Sequence, residues 1–524
     1  MSSKASNPPS ARIRKSARWR VAKVSELPPL LWGAMGLLAL LAAIGPNPGI
    51  GLLGAVVAIV ASLLLWRPGE PQILLFIVGY NWIQAFTPVL QGIIQGEPIS
   101  AVMGGAEFES ATVLTLLGIV ALALGLKSTT RPASAFAQAS ILGGLKRINF
   151  RRLVLGWAGL SVANIGLGII GASVPALLQA LIAFEIWKWA AVFLIFFRWL
   201  ATGRGGTIAV VVLVSEVGVG MMSYFSGFKE VFFVLLLAGS GALAMGKKPS
   251  GILVGTCVFL VVLLGFWQAI KGGYRTHMSR GEEAQVVQVS VRERFDYLSD
   301  AVNHMDLASM ADGLESGLDR LGYVKFFGHA IRSVPVLIPH TNGLLWKEAV
   351  MHPLMPRFLF PDKPAINDSD RTNAYTGVQV AGADKGTSVS IGYMGESYID
   401  FGVWGMFPAI FLWGSFVGWL HQILRRMAPH PVLGVAVSSC LLLSTVLLLE
   451  ASNIKMTGSL IAGFLVSAAL MYFFGKSVWR WLTYSSKSPS SRSRRNKRRV
   501  ARPYSVTSRQ QESEVDLVQK QGIS

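Results

Sequence analysis

Long apolar runs separated by short polar connections make up most of the chain. A helix needs about 20 apolar residues to cross a bilayer core that is about 30 Å thick. About twelve runs approach this length, and they lie near residues 29–45, 49–66, 71–90, 110–126, 153–172, 176–197, 207–225, 230–246, 251–269, 403–423, 432–450 and 457–475. The pattern therefore predicts an all-α polytopic membrane protein with about 12 transmembrane helices.

One long polar interruption separates the ninth run from the tenth. It extends from Lys271 to Gly402 and holds 16 of the chain's 28 Asp and Glu residues. Titratable groups that gather in one water-facing segment of a membrane protein are candidates for its chemistry. The predicted organisation is a basic arm, nine spans, the large loop, three spans and a basic disordered tail, with boundaries at 1–28, 29–270, 271–402, 403–475 and 476–524.

The distribution of charge orients this arrangement. Only 15% of the residues are charged, 52% are hydrophobic, and the formal net charge is +20. The Lys and Arg residues lie mainly in the N-terminal arm, in alternate short connections and in the C-terminal tail, as on the cytoplasmic side of membrane proteins. Both termini are therefore predicted to be cytoplasmic and the large loop to lie outside. The same distribution favours contact with anionic lipid headgroups over nucleic acid.

The first half of the loop has the pattern of amphipathic helices. Apolar residues recur there at helical spacing, at Phe295, Leu298, Val302, Met305, Met310, Leu314, Leu318 and Leu321. A pair of helices resting on the membrane surface is predicted between Val291 and Arg332.

The middle of the loop carries cations between prolines. Prolines at 353, 356, 361 and 364 interrupt helix formation, so Arg357, Lys363 and Arg371 are predicted to lie on turns. Arg offers a planar fork of donors for phosphate oxygens, and Lys adds a point charge. These cations are candidate ligands of a pyrophosphate at the membrane surface. The alternative is that they contact lipid headgroups or pair with the neighbouring carboxylates of Asp362, Asp368 and Asp370.

The loop ends in a glycine-rich, aromatic segment just before the tenth run. Glu396 lies between Gly395 and Tyr398, and burial against aromatic side chains would adapt it to the role of a general acid or base. The alternative is a carboxylate that satisfies backbone donors or an Arg at a helix start. That alternative applies more strongly to Asp400 than to Glu396.

Charged residues also lie within and beside the apolar runs. Glu185 and Lys188 are three residues apart and can pair on one helix face, and Glu216 lies within another run. These residues either lock helices together or serve a proton-coupled carrier. Lys229 lies at the outer start of the eighth run, at the level of the loop's cations, and is a candidate phosphate ligand.

Three short motifs resemble one family of bacterial membrane enzymes. The run Gly-Tyr-x-Gly-Glu-x-Tyr-x-x-Phe-Gly-x-x-Gly occupies 392–405, Phe-Pro-Asp-Lys-Pro occupies 360–364, and Ser-Gly-Phe-Lys occupies 226–229. Together with many spans and a single late loop, these motifs resemble the O-antigen polymerase (Wzy-like) family. The resemblance covers most of Leu30–Gly475.

The resemblance implies a GT-C-like architecture in the bacterial inner membrane and a metal-independent glycosyltransferase without a cofactor. Such an enzyme transfers the growing glycan from undecaprenyl pyrophosphate to the next lipid-linked repeat unit at the periplasmic face. The predicted catalytic residues are Glu396, Arg357 and His352, with His352 as the rival base. The predicted ligands of pyrophosphate or glycan are Lys229, Arg275, Arg280, Lys363, Arg371 and Tyr398. The expected partners are the undecaprenyl-pyrophosphate-linked oligosaccharide, membrane lipids and polysaccharide assembly proteins such as a chain-length regulator, with no nucleic acid.

Two other functions stay open at this point. An O-antigen ligase-type enzyme would use the same donor with lipid A-core as acceptor, and the Gly-Glu-x-Tyr run favours the polymerase over it. A transporter or flippase for lipid-linked sugar would distribute charges through its spans and contain two similar halves. This chain instead concentrates charge in one loop, with nine predicted spans before the loop and three after it.

Overall fold

The computed structural model describes residues 26–132, 135–173, 178–221, 227–281, 287–355, 359–360, 362–363, 366–382, 388–447 and 449–484. Every regular element within these ranges is a helix. One compact unit ends at Thr483. Eight of its helices are long and apolar enough to cross a membrane by length and composition. The predicted class of an all-α polytopic membrane protein is confirmed at this level.

In the described ranges, eleven α-helices precede the large polar region. They are α1 (Pro29–Ile44), α2 (Pro48–Leu65), α3 (Ile73–Gln95), α4 (Ile99–Met103), α5 (Ala106–Thr129), α6 (Ala135–Arg147), α7 (Phe150–Ser173), α8 (Leu178–Thr202), α9 (Gly206–Met221), α10 (Glu230–Ala244) and α11 (Ser250–Met278). A short 3-10 turn at Gly227–Lys229 leads into α10.

The polar region and the remaining apolar runs supply eight more helices. They are α12 (Val291–Asn303), α13 (Leu307–Leu321), α14 (Val324–Ser333), α15 (Leu344–Leu354), α16 (Asp368–Thr376), α17 (Tyr393–Met427), α18 (Pro431–Thr445) and α19 (Asn453–Thr483). Each of the predicted apolar runs coincides with one of the nineteen helices. The eight candidate spans are α2, α3, α5, α7, α10, α11, α17 and α19, whereas α1, α9 and α18 are shorter apolar helices.

Hydrogen bonds between helix ends show which of these ends lie on the same side of the helix bundle. At the end that carries α12–α16, which we call the loop end, the Asn47 side chain accepts from the backbone N–H of Ile99 at 2.7 Å and donates to Glu109 at 3.2 Å. At the opposite end, the backbone N–H of Asn149 donates to Leu482 at 2.7 Å. The start of α2 and the start of α5 therefore share one end, and the start of α7 and the end of α19 share the other.

Several helices extend beyond the predicted boundaries. Helix α11 continues to Met278, so Lys271 and Arg275 lie on its last turns rather than in a loop. Helix α17 begins at Tyr393 and is broken by Gly402, whose φ of 67° departs from helical geometry. These extensions are polar, and an apolar-length criterion ends a span where its apolar run ends.

The amphipathic part of the loop forms three helices rather than the predicted pair. Helix α13 packs against α11, and a Cβ added at Gly313 would lie 2.1 Å from the carbonyl oxygen of Gly265. Helix α14 packs against α5, and Gly328 leaves no room for a side chain beside Phe108. Helix α14 was missed because its buried apolar residues face another helix of the protein and not the membrane surface.

The predicted Glu185–Lys188 pair is confirmed and extended. The Lys188 amine lies 3.1 Å from Glu185 on its own helix and 3.1 Å from Glu216 on α9. The Trp157 indole on α7 donates to the other Glu216 oxygen at 2.7 Å. Lys188 and Glu216 are buried, and each has a charged partner, as the low dielectric of a membrane protein interior demands. The geometry favours the role of locking three helices together.

We predict that Gly313→Ala destabilises the protein. The added methyl group would overlap backbone atoms of α11, and overpacking of this kind costs about 1–3 kcal/mol. Gly255→Ala on α11 is the matched control, because nothing lies within 4 Å of its added Cβ. Thermal unfolding of the detergent-purified protein should show a lower midpoint for Gly313→Ala and an unchanged or higher one for Gly255→Ala. Equal midpoints for the two variants would contradict the close packing of α11 and α13.

Candidate functional site

Seven of the nine predicted site residues lie in two separate places. Arg371, Glu396, Lys363, His352 and Tyr398 belong to the layer of loop-end helices. Two more predicted ligands line a deep cavity between the membrane helices, as shown below. Arg357 lies outside the described residues, so its position stays a prediction.

The first place is an ion-pair cluster centred on Arg371. Its guanidinium donates to Glu396 on α17 at 3.4 Å and to Glu348 on α15 at 2.7 Å. The second oxygen of Glu396 accepts from the backbone N–H of Asn453, at the start of α19, at 2.7 Å. Glu396 is only 1% exposed. We call Arg371, Glu396, Glu348 and Asn453 the arginine cluster, and it joins four helices at the loop end.

The prediction that Arg371 lies on a turn is wrong. The side chain of Asn367 accepts from the backbone N–H of Asp370 and starts helix α16, which carries Arg371. The last of the four prolines precedes this cap, so a new helix can begin after it. Arg371 pairs with Glu348 and Glu396. The neighbouring Asp368 instead contacts Lys455 at 2.9 Å.

Asp400 has the structural role that the sequence favoured for it. Its carboxylate accepts from the backbone N–H groups of Leu345 at 3.0 Å and Trp346 at 2.8 Å, and from the hydroxyl of Thr341. The first two donors lie in the opening turn of α15, whose N–H groups have no partner within the helix. A buried carboxylate from α17 therefore caps the start of α15.

Three other predicted residues have contacts that hold the same layer together. The Lys363 amine donates to the carbonyl oxygens of His352 and Met355, at the end of α15. The hydroxyl of Tyr398, which is 5% exposed, donates to the carbonyl oxygen of Val334 at 2.9 Å. These contacts order the helices around the arginine cluster. Whether any of these side chains also contacts a substrate stays a prediction.

The second place is a cavity of about 930 Å³. Its walls come from α1, α2 and α3 on one side and from α10 and α11 on the other, with α13 across its loop end. Along α11 it extends from Cys257 to Arg275, a length of about 27 Å at 1.5 Å per residue. The cavity is thus nearly as deep as a bilayer core, which is about 30 Å thick.

The cavity is apolar over most of its length and cationic at its loop end. Apolar side chains such as Leu31, Leu75 and Leu260 line the deeper part. The predicted phosphate ligands Lys229 and Arg275 both line the cavity, together with Lys271 and Arg320, which the sequence did not single out. The positive charges of Arg320, Arg275 and Lys229 are close enough to act electrostatically on the Lys271 amine. The four side chains, which we call the cationic mouth, therefore form one electrostatic group.

This combination has a direct chemical meaning. An apolar channel lowers the free energy of a hydrocarbon chain, and clustered Lys and Arg side chains bind phosphate oxygens. The ligand that satisfies both parts is an amphiphile with an anionic headgroup.

Arg280 lies beyond the end of α11 with a φ of 51° and is exposed. It is not among the residues that line the cavity.

Two polar residues of the cavity wall, Glu450 and Gln84, were also missed. Gln84 lies on α3, and Glu450 lies in the connection between α18 and α19. Burial and the nearby negative charge of Glu450 together raise the pKa of Tyr323, just beyond α13. The only available signal in the sequence was a carboxylate at the last position of the apolar run 432–450, where it is easily taken for the water-facing end of a span.

A family model described as a domain of unknown function (DUF8712) matches residues 110–444. This match covers more than half of the chain. The chain belongs to this family. The matched region includes the members of the arginine cluster on α15, α16 and α17 and the four cations of the cavity. Helices α1–α3 and Glu450 lie outside it. No match was found among curated proteins or among solved structures.

We predict that Arg371→Leu destabilises the protein strongly. The change leaves the buried Glu396 carboxylate without its charged partner, and breaking a buried pair from one side costs about 3–5 kcal/mol. Adding Glu396→Gln to Arg371→Leu should restore most of the loss, because the unpaired charge is removed. The measurement is a double-mutant cycle of thermal or denaturant unfolding in detergent.

Glu348→Gln is the control for this cycle. Glu348 is 44% exposed, and pairs in such positions contribute about 1 kcal/mol or less. Its unfolding midpoint should stay close to that of the wild type. Additive losses in the Arg371–Glu396 cycle would show that the two side chains do not depend on each other.

Proposed function

We propose that the protein polymerises surface polysaccharide (O-antigen or exopolysaccharide) repeat units. It would transfer the growing glycan from undecaprenyl pyrophosphate to the next lipid-linked repeat unit. The observation that carries this proposal is the cavity, which joins an apolar channel of near-bilayer depth to a cationic mouth. A polyprenyl pyrophosphate has the same division, with a hydrocarbon tail and a pyrophosphate headgroup. The motifs at 392–405, 360–364 and 226–229 supply the reaction class.

The proposal includes a twelve-span topology in a bacterial inner membrane, with a GT-C-like architecture and both termini in the cytoplasm. Spans that alternate in direction must place their starts at opposite ends of the bundle in turn, and the contacts between the described helix ends agree with this order. The loop end then faces the periplasm, where nucleotide sugars are absent and lipid-linked donors are the natural substrates. The cationic mouth lies at this end, at the level of the outer headgroups.

In this mechanism the cations act on the leaving group. Transfer breaks the bond between the anomeric carbon and the pyrophosphate, and negative charge develops on the departing oxygen. Lys229, Lys271, Arg275 and Arg320 would neutralise it, and fixed charges at the place where charge develops are a large contribution to catalysis. The proposal requires no metal ion or cofactor.

The arginine cluster fits a positioning role in this reaction. Both oxygens of Glu396 are occupied, one by Arg371 and one by the backbone of Asn453. The pair therefore fixes α16, α17 and α19 beside the cavity's loop end. The catalytic roles of Glu396, Arg357 and His352 stay predictions, as do the ligand roles of Arg280, Lys363 and Tyr398.

The deciding experiment uses the purified full-length protein in lipid nanodiscs with synthetic undecaprenyl-pyrophosphate-linked repeat units. The expected products carry two or more repeats on one lipid, with release of undecaprenyl pyrophosphate. Transfer that occurs only when lipid A-core is supplied would replace the polymerase with a ligase. Movement of the lipid-linked sugar between leaflets without a new glycosidic bond would replace it with a flippase.

We predict that Lys229→Gln together with Lys271→Gln weakens binding of the lipid pyrophosphate. Undecaprenyl pyrophosphate should raise the unfolding midpoint of the wild type more than undecaprenol does, since only the former has an anionic headgroup. The double variant should lose this difference and turn over about 100-fold more slowly, the scale for loss of a fixed charge-stabilising group. Lys247→Gln, exposed at the opposite end, is the control. A double variant that still distinguishes the two lipids would exclude the cationic mouth as the headgroup site.

A further inference from the structure

The cavity wall holds one carboxylate at the same end as the cationic mouth, since Glu450 and Arg320 both act on Tyr323. Among the lining residues in the described part of the chain, four charged side chains are cations and the fifth is Glu450. Glu450 lies in the connection between α18 and α19, at the loop end, and is partly buried. A carboxylate at the polar end of an otherwise apolar and cationic cavity is placed where the proposed reaction occurs.

Two side chains of α3 fix the segment that carries Glu450. The Gln84 amide donates to the Glu450 carboxylate and accepts from the backbone N–H of Leu449 at 2.9 Å. One turn earlier, Asn81 donates to the carbonyl oxygen of Leu447 at 2.9 Å. Gln84 and Asn81 are buried, so this clamp is shielded from solvent and holds Glu450 in one place. Such fixed geometry is what a catalytic group requires.

Glu450 and Glu396 differ in what their oxygens contact. Glu396 binds a guanidinium through one oxygen and a backbone N–H through the other, so both of its oxygens are occupied. The described partner of Glu450 is a neutral amide on one oxygen, Oε2. The other oxygen is therefore left to accept a proton. Glu450 also lines the cavity, whereas Glu396 is 1% exposed.

We propose that Glu450 is the general base of the glycosyl transfer and accepts the proton of the acceptor hydroxyl. This inference rests on the proposed function and names the catalytic group of that same site. The general base is then Glu450 of the cavity wall and not Glu396, which the motif at 392–405 suggested.

The step balances in atoms and charge. The acceptor hydroxyl oxygen attacks the anomeric carbon of the donor, and its proton passes to the free oxygen of Glu450. A new C–O glycosidic bond forms while the bond from the anomeric carbon to the pyrophosphate oxygen breaks. The pyrophosphate leaves with the electron pair, neutralised by the cationic mouth. Glu450 then returns its proton to water.

The test compares Glu450→Gln with the wild type in the nanodisc assay. Glutamine keeps the size of the side chain and an acceptor for Gln84, so the unfolding midpoint and the stabilisation by undecaprenyl pyrophosphate should be retained. Turnover should fall at least about 100-fold, the scale of general base catalysis. A rate that depends on a general base decreases at low pH, and this acid limb of the wild-type profile should be missing from the residual rate of Glu450→Gln.

Three further variants make the result decisive. Glu450→Asp keeps a carboxylate on a shorter side chain, so it should keep the acid limb and lose turnover about 10-fold, within the range for a misplaced catalytic group. Glu396→Gln should keep the acid limb. Glu97→Gln, an exposed carboxylate in another connection at the loop end, is the matched control and should behave as the wild type.

The outcomes separate this inference from the proposed function. A wild-type protein that makes no polymer overturns the proposed function. A wild type that polymerises while Glu450→Gln retains turnover within about threefold and keeps the acid limb overturns only the role of Glu450. Loss of the acid limb in Glu396→Gln and not in Glu450→Gln would return the base to Glu396. Should Glu450→Gln fail to fold, a Glu450→Asp variant with wild-type turnover at every pH would also overturn it.

Discussion

The arrangement at the loop end depends on one constraint: the buried, non-helical connection between α18 and α19 must find hydrogen-bond partners within the protein. Unpaired backbone groups are costly wherever water is excluded, and irregular backbone at membrane depth is tolerated only when protein or a polar cavity satisfies it. Here α3 binds Leu447 and Leu449, through Asn81 and Gln84. Helix α17 binds the next part, where Glu396 accepts from the backbone of Asn453.

This connection joins the two places where the predicted site residues lie. Glu450 faces the cavity, and Asn453 completes the arginine cluster three residues later. Three residues of extended chain span at most about 11 Å, so the cavity's polar wall and the cluster are near neighbours. A change in the arginine cluster can therefore move the cavity wall without touching a ligand. For this reason, loss of activity in an Arg371 or Glu396 variant does not by itself identify a catalytic residue.

The sequence was informative wherever a local pattern reflects a general physical cause. Bilayer thickness sets the length of apolar runs, so each predicted run coincides with a helix. Lys229 was placed at a helix start on the same basis, whereas Arg275 was expected in the loop beyond α11. The sequence was uninformative where the partners are distant. Gln84 and Glu450 are 366 residues apart, and no local pattern joins them. Arg320 was not singled out because the packing of α13 on α11, which brings it to the cavity, depends on glycines whose neighbours are known only from the fold.

The cavity wall is divided between the region that matches the family model and the helices outside that region. Helices α10, α11 and α13 supply the cations and lie within the matched region, whereas α1–α3 and Glu450 lie outside it. Neither part encloses the cavity alone. The matched region supplies charges that suit any phosphate-bearing ligand, and the remaining helices supply the opposite apolar wall, which a soluble phosphate would not need. The proposed preference for a lipid-linked substrate over a soluble one therefore depends on both parts of the wall.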